Sequence, residues 1–325
     1  MNNFEYIQSQ TLKEASKALG KDWQTALPFA GGTDILSLMK DGIESPQKLV
    51  NLKSIADLNK INYTPGKGLH IGALVTITEI AEHPLINEKY QVLARAAREV
   101  ASPQLRNVGT IGGNICQHPR CWYFRGEFNC LRKGGDMCYA VDGSNKFHCV
   151  IGGGPCFIAH PSDAAVALTA LNAKVVIFSG KKSRIVPIRE FFILPELNVQ
   201  RENILQPGEI LTEIQVPDLP SGTLSGYLKL KERGAWDFAV VSVAAVVQKN
   251  GTFFQSGSIA LGGVAPIPWL EKDVSAQLAG LNISVENIVQ LSKKALKEAE
   301  PLENNAYKVP LAQNMIKKLL LKISA

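Results

Sequence analysis

No cysteine stands outside residues 116 to 156 of this 325-residue chain, and within that segment no two are spaced as C-x-x-C. Structural zinc sites rely on such tight pairs, so zinc is disfavoured. No apolar run approaches the roughly 18 residues of a membrane span. The opening Met1-Asn2-Asn3-Phe4-Glu5 has neither a basic nor an apolar export signal, and the expectation is a cytoplasmic chain with reduced thiols. Gly152-Gly153-Gly154 is not a G-x-G-x-x-G, and Gly180-Lys181-Lys182-Ser183 lacks the upstream glycine of a P-loop, so Rossmann and nucleotide-hydrolase readings fail. The C-x4-C-x2-C spacing of a plant-type two-iron cluster is missing too. A formal charge of +6 is dispersed rather than massed on one stripe, which argues against nucleic acid. No internal repeat is visible.

Two glycine turns are present. Ala26 to Ala30 reads as a buried strand running into Gly31-Gly32-Thr33-Asp34, after which Ile35, Leu36, Leu38 and Met39 repeat at helical spacing. Such a turn leaves backbone N–H groups pointing at one spot and suits phosphate, although a tight strand end needs the same glycines. The pattern restarts at Gly68. Leu69, Ile71 and Ala73 alternate as a strand, Thr76-x-x-Glu79 forms a capping box like Thr11-x-x-Glu14 before it, and Leu85 to Val100 reads as one long helix. That helix leads to the second turn, Gly109-Thr110-Ile111-Gly112-Gly113-Asn114. After Asp163 the chain predicts a short apolar helix over 164–171, a hairpin across Gly180-Lys181 and a strand ending at Val216.

Beyond Pro217 the character changes. Strands are predicted from Tyr227, from Val240 and from Phe253, the last two joined by the hairpin signal Asn250-Gly251, and three helices follow. Strands followed by helices make an α+β unit, with the boundary where Pro220, Gly222 and Gly226 interrupt the chain. The expected division is 1–220, with subdomains of about 1–56 and 57–220, then 221–325.

All six cysteines (Cys116, Cys121, Cys130, Cys138, Cys149 and Cys156) lie between the second turn and Asp163. The stretch from Cys121 to Cys156 carries seven glycines and several cations, so apolar burial alone will not order it. Disulfides or a metal centre would. In a reduced compartment, thiolates converging from a wrapping loop point to iron-sulfur chemistry or zinc. His118, His160, His70 and His83 read as ordinary hydrogen-bonded or solvated histidines, with His148 a reserve ligand.

The chain resembles the FAD-binding subunits of the molybdenum hydroxylases (the xanthine dehydrogenase family), on the strength of Ala30-Gly31-Gly32-Thr33-Asp34 and Thr110-Ile111-Gly112-Gly113-Asn114 and over nearly its full length. The segment from Arg120-Cys121-Trp122-Tyr123-Phe124-Arg125 to Cys156 resembles the subgroup of 4-hydroxybenzoyl-CoA reductase and bacterial aldehyde oxidoreductases, whose flavin subunit holds an extra 4Fe-4S cluster. The resemblance implies a vanillyl-alcohol-oxidase-type α+β fold. It implies noncovalent FAD, its pyrophosphate wrapped by Ala30, Gly31, Gly32, Thr33, Asp34 and Ile35 and by Thr110, Ile111, Gly112, Gly113 and Asn114. Asp163 is expected at the adenosine portion, with Leu211 and Lys229 near the flavin. Cys121, Cys130, Cys138 and Cys156 are the implied cluster ligands, Cys116 a packed thiol beside the flavin, and Trp122, Tyr123 and Phe124 a cover that excludes water. The implied partners are a large molybdopterin subunit, a small 2Fe-2S subunit and an external electron carrier, in a heterotrimer with or without a two-fold axis that doubles it. A stand-alone FAD oxidase and a nonenzymatic flavin or iron-sulfur scaffold are the competing readings.

Overall fold

The computed structural model describes residues 1–325. Three sheets follow one another along the chain. The first is parallel, in the order β1 (Glu5–Gln8), β3 (Lys48–Asn51), β2 (Ala26–Phe29). The helix Leu12–Leu19 links β1 to β2, and the first glycine turn with the helix Ile35–Lys40 links β2 to β3. Only half of the predicted capping box forms at Thr11. Its hydroxyl accepts from the Glu14 N–H at 3.2 Å, but the Glu14 carboxylate accepts from Gln10 instead, at 2.9 Å. At Thr76 and Glu79 both halves close.

The second sheet has the order β4 (Ile61–Thr64), β5 (Gly68–Gly72), β8 (Ile210–Val216), β6 (Lys174–Phe178), β7 (Ser183–Pro187). Every pairing in it is antiparallel. Most helices of this region lie in one excursion between β5 and β6, the short helix Ile188–Phe191 alone falling between β7 and β8, and no parallel crossover arises. The predicted long helix is two, Pro84–Lys89 and Gln91–Arg98, broken at Tyr90. Tyr90 is fully buried and its hydroxyl donates to the Pro217 carbonyl at 3.2 Å, a tertiary contact that local periodicity does not encode. The helix Asp163–Ala170 is buried on all sides, and its apolar side chains form the middle of the largest core.

The third sheet is antiparallel, in the order β12 (Trp269–Leu270), β11 (Phe253–Gly262), β10 (Val241–Asn250), β9 (Thr223–Leu230). Gly226 lies inside β9 and not in a linker. A Cβ there would meet Leu319 and Ile323, so the glycine lets the last helix, Lys308–Ser324, lie close on the sheet. The other two predicted helices of this unit, expected over about Leu270 to Leu278 and Val285 to Glu298, are shorter, Lys272–Ala276 and Val285–Ser292. No helix is long and apolar enough to cross a membrane.

The cysteine segment leaves the body after the second glycine turn and has little regular structure, a helical turn at Trp122–Arg125 and a 3-10 turn at Leu131–Lys133. Long-range polar contacts hold it at three places. His118, Arg120 and Arg125 converge on Asp34 of the first sheet unit. Arg132 pairs with Glu202, both side chains almost fully buried, and donates to the carbonyls of Val199 and Gln200. The buried Lys308 donates to the carbonyls of Phe147 and His148 at 2.8 and 2.9 Å, and to that of Gly263 at 2.6 Å.

Candidate cofactor site

The two glycine turns meet. A Cβ on Gly31 would run into the Val108 carbonyl oxygen, which immediately precedes the second turn, so Gly31 is the point where the turns touch. Gly32 has φ of +72°, a left-handed conformation that a side chain there would strain. Together the turns wall a cleft of about 630 Å³, large enough for a dinucleotide-sized cofactor. Ala30, Gly31, Gly32, Thr33, Asp34, Ile35, Thr110, Gly112, Gly113, Asn114, Asp163, Leu211 and Lys229 all line it. Ile111 does not, being fully buried in the core.

The turns differ in what they offer a ligand. In the second, the N–H groups of Ile111 and Gly112 donate to Val75 and Ala73, Gly113 to the Thr110 hydroxyl and Asn114 to the Thr110 carbonyl. In the first, the backbone N–H groups from Gly31 to Ile35 have no acceptor in the chain. Successive free N–H groups form a nest for an anion. The diphosphate of FAD fits the first turn on that ground, and the second turn shapes the opposite wall.

The Asp34 side chain serves another purpose. It lies 2.9 Å from Arg120 and 2.7 Å from Arg125, and accepts from the His118 N–H at 2.8 Å. Burial opposes its charge, but these partners win and hold the carboxyl well below its ordinary range. Asp34 therefore fastens the cysteine segment to the cofactor turn. Sequence reasoning missed this junction, because Arg120 and Arg125 lie far from Asp34 along the chain and no spacing rule links them.

Asp163 and Lys229 were expected at separate parts of the cofactor, but they touch. Lys229 Nζ is 2.7 Å from one Asp163 oxygen, the Tyr227 hydroxyl donates to the other at 2.5 Å, and Lys229 also donates to the Glu99 carbonyl at 2.9 Å. The pair is almost fully buried at one edge of the cleft. It joins the helix after the cysteine segment to β9 of the third sheet. Whatever binds beside Asp163 meets a carboxylate and an ammonium already oriented by each other.

The cysteines separate into groups. Cys116 lines the cleft, and burial pushes its thiol up to about 12. Cys138 and Cys156 lie near each other, and their interaction pulls Cys138 down to about 6 and pushes Cys156 up. Cys121 senses both Cys130 and Cys138. Backbone N–H groups of Tyr123 and Phe124 point at Cys121, those of Ala140, Val141 and Phe157 at Cys138, and that of Ile158 at Cys156. Such donors favour the thiolate, the form that binds metal, but burial outweighs them at Cys121, whose thiol is pushed up to about 11, while Cys138 is lowered overall. No three His, Cys, Asp or Glu side chains are close enough to hold a single ion; a four-iron core takes one thiolate on each iron, at wider separation. Cys149 is fully buried beside Cys138, and its thiol is pushed up to about 12 by burial. His148 Nε2 is 3.2 Å from Cys121 Sγ, a hydrogen-bond partner of that thiol. Tyr123 and Phe124 are buried as expected, whereas Trp122 lies at the surface with its edge on Phe147 and His148.

Comparison with known proteins agrees with this architecture. The family described as FAD binding domain in molybdopterin dehydrogenase matches residues 2–219, and the CO dehydrogenase flavoprotein C-terminal domain matches residues 226–323. The aldehyde oxidoreductase FAD-binding subunit PaoB of Escherichia coli (strain K12) is 36% identical over 330 residues, covering 100% of this chain and 99% of that protein. The carbon monoxide dehydrogenase medium chain of Hydrogenophaga pseudoflava is 28% identical, covering 98% and 96%. Among solved structures, the carbon monoxide dehydrogenase from Hydrogenophaga pseudoflava lacking the Mo-pyranopterin moiety superposes with a TM-score of 0.78 at 27% identity, over 99% of this chain and 98% of that one. Two touching glycine turns, a cleft of dinucleotide size and a full-length relationship leave one conclusion: the chain belongs to the FAD-binding medium subunits of the xanthine dehydrogenase and carbon monoxide dehydrogenase family of molybdenum hydroxylases.

Proposed function

We propose that this chain passes electrons between iron-sulfur centres and an external acceptor or donor, as the flavin subunit of a cytoplasmic heterotrimer whose large molybdopterin subunit carries the substrate chemistry and whose small subunit carries 2Fe-2S clusters. The observation that carries the reading is the junction at Asp34, where the turn with free N–H groups and the cysteine segment share one carboxylate. A loop built around sulfur donors is thereby fixed to the wall of the cofactor cleft. FAD, when bound, exchanges electrons singly or in pairs, and a 4Fe-4S cluster held by Cys121, Cys130, Cys138 and Cys156 would exchange them singly.

The chain's own residues supply binding and orientation. The N–H groups of Gly31 to Ile35 neutralise phosphate charge, and Thr110, Gly112, Gly113 and Asn114 close the opposite wall. Asp163, Lys229 and Leu211 line the same cleft, and the Asp163–Lys229 pair supplies a donor and an acceptor that are already fixed in place. The functional division is 1–220 for FAD, with the cluster segment 116–156, and 221–325 for the third sheet and its helices.

The test is cysteine-to-serine replacement at all six positions, with iron, acid-labile sulfide and flavin measured on anaerobically purified protein and EPR recorded on the reduced form. The expectation is about four irons per chain, lost in C121S, C130S, C138S and C156S and kept in C116S and C149S. Retention in C156S with loss in C149S moves the fourth ligand, and absence of iron from the wild type removes the cluster. Native sizing tests the assembly: recovery with a molybdenum subunit is expected, and an isolated chain that oxidises an alcohol by itself would be the stand-alone oxidase instead.

A further inference from the structure

The cleft contains five carboxylates, and each already has a cation. Asp34 is paired with Arg120 and Arg125, Asp163 with Lys229, Glu202 with Arg132, Glu209 with Arg184 and Asp237 with Arg233. The lysine and arginines of the cleft wall are Arg120, Lys229, Arg233 and Arg201. The first three belong to those pairs. Arg201 has no carboxylate within ion-pair distance and donates to no acceptor anywhere in the chain, and its Nε is buried. Burial holds its guanidinium below the ordinary value, against the pull of Glu202 and Glu44, which lie beyond ion-pair distance.

A guanidinium in that state is costly unless something anionic arrives. Nor is this one loose. It sits over the Trp23 ring, 4.2 Å from the centroid. Trp23 in turn packs against the cluster of Leu27, Met39 and Leu49, which Ile35 and Leu36, at the start of the helix after the first glycine turn, also cover. Arg201 and Trp23 line the same cleft as the free N–H groups of Gly31 to Ile35. Arginine in that form matches phosphate geometry two bonds at a time.

We propose that Arg201 is the counter-cation of the FAD diphosphate, gripping from the residue 193–203 segment the group that the first glycine turn cradles with its backbone. The inference rests on the FAD reading and adds to it a residue outside both glycine turns, on a segment that Arg132 also ties to the cysteine loop. It follows that diphosphate binding and the seating of that loop are mechanically adjacent, through Arg201 and Glu202 side by side.

The experiment strips FAD reversibly from the intact complex and titrates it with FAD, ADP, adenosine and riboflavin, for wild type, R201Q, R201K and W23L. R201Q should bind FAD and ADP about 10- to 100-fold more weakly, the worth of one or two charge-assisted hydrogen bonds, and leave adenosine and riboflavin unchanged. R201K should fall between, since it keeps the charge and loses the fork, and W23L should weaken FAD and ADP by a smaller factor. Wild-type affinity should fall with added salt more steeply than that of R201Q. Unchanged FAD and ADP affinity in a folded R201Q, or an equal loss for adenosine, overturns the assignment to the diphosphate while leaving FAD binding intact. A wild type that binds neither FAD nor ADP overturns both.

Discussion

Asp34 shows how one side chain changes the meaning of a motif. By sequence it belongs to a glycine turn, and its expected role is to wrap a pyrophosphate. In the structure its backbone keeps that role open while its carboxylate is taken by His118, Arg120 and Arg125. Removing the charge in D34N leaves two guanidinium groups poorly matched, at a cost of about 3 kcal/mol, the low end for breaking a buried pair. The pH dependence follows from the direction of its shift. A carboxyl whose folded-state value lies below the ordinary 3.8 stabilises fully above that value, and the contribution is lost as pH falls through the folded value. Thermal unfolding of wild type and D34N should therefore differ by a constant gap at neutral and mildly acid pH, and the gap should close only in strong acid. A gap that closes already in mild acid would mean that the junction does not hold the Asp34 carboxyl below its ordinary range.

At the scale of elements, the cysteine segment is the part with the least structure of its own and the most borrowed support. Its far end is held by the start of the C-terminal helix and the turn before it, where Lys308 feeds three carbonyls, Asn305 donates to the carbonyls of His148 and Cys149, and Tyr307 donates to that of Lys146. K308M places a methyl group where an ammonium satisfied three buried acceptors. It should lose about 3 kcal/mol or more, and limited proteolysis should cut first near residues 140 to 150 while flavin is retained. Cleavage elsewhere would show that the clamp matters for the core and not for the segment. The sequence marked this segment as needing a staple from its glycines and cations. It did not show that much of the staple is protein, because the clamping residues lie about 160 positions away.

At the scale of the molecule, the cofactor cleft is not the property of one domain. The largest core joins residues of the second sheet with Tyr227, Ala244 and Ala260 of the third, and Lys229 reaches back to Asp163 and Glu99. A chain cut after residue 220 keeps both glycine turns but loses the partners of Asp163, leaving a buried carboxylate uncompensated. The fragment 1–220 should accordingly fold poorly and retain little FAD, and adding 221–325 in trans should restore part of it. A fragment that holds FAD as well as the intact chain would place Lys229 outside the binding determinants.

What the sequence determined by itself is local and periodic. Strand ends that run into glycines, the Thr76–Glu79 cap, the Asn250-Gly251 hairpin and the apolar helix after Asp163 are written in neighbours a few residues apart, where sterics and capping act. The glycine turns and the confinement of six cysteines to one stretch also stand out from the sequence by themselves. Only the tertiary structure decided that the two turns touch through Gly31, that the second sheet is antiparallel throughout, and that Tyr90 breaks a helix to reach Pro217. It also decided which charges are spent on one another and that Arg201 is left over. Pairing of charges across the fold depends on which distant segments pack together, and burial is what gives such a pairing its energy.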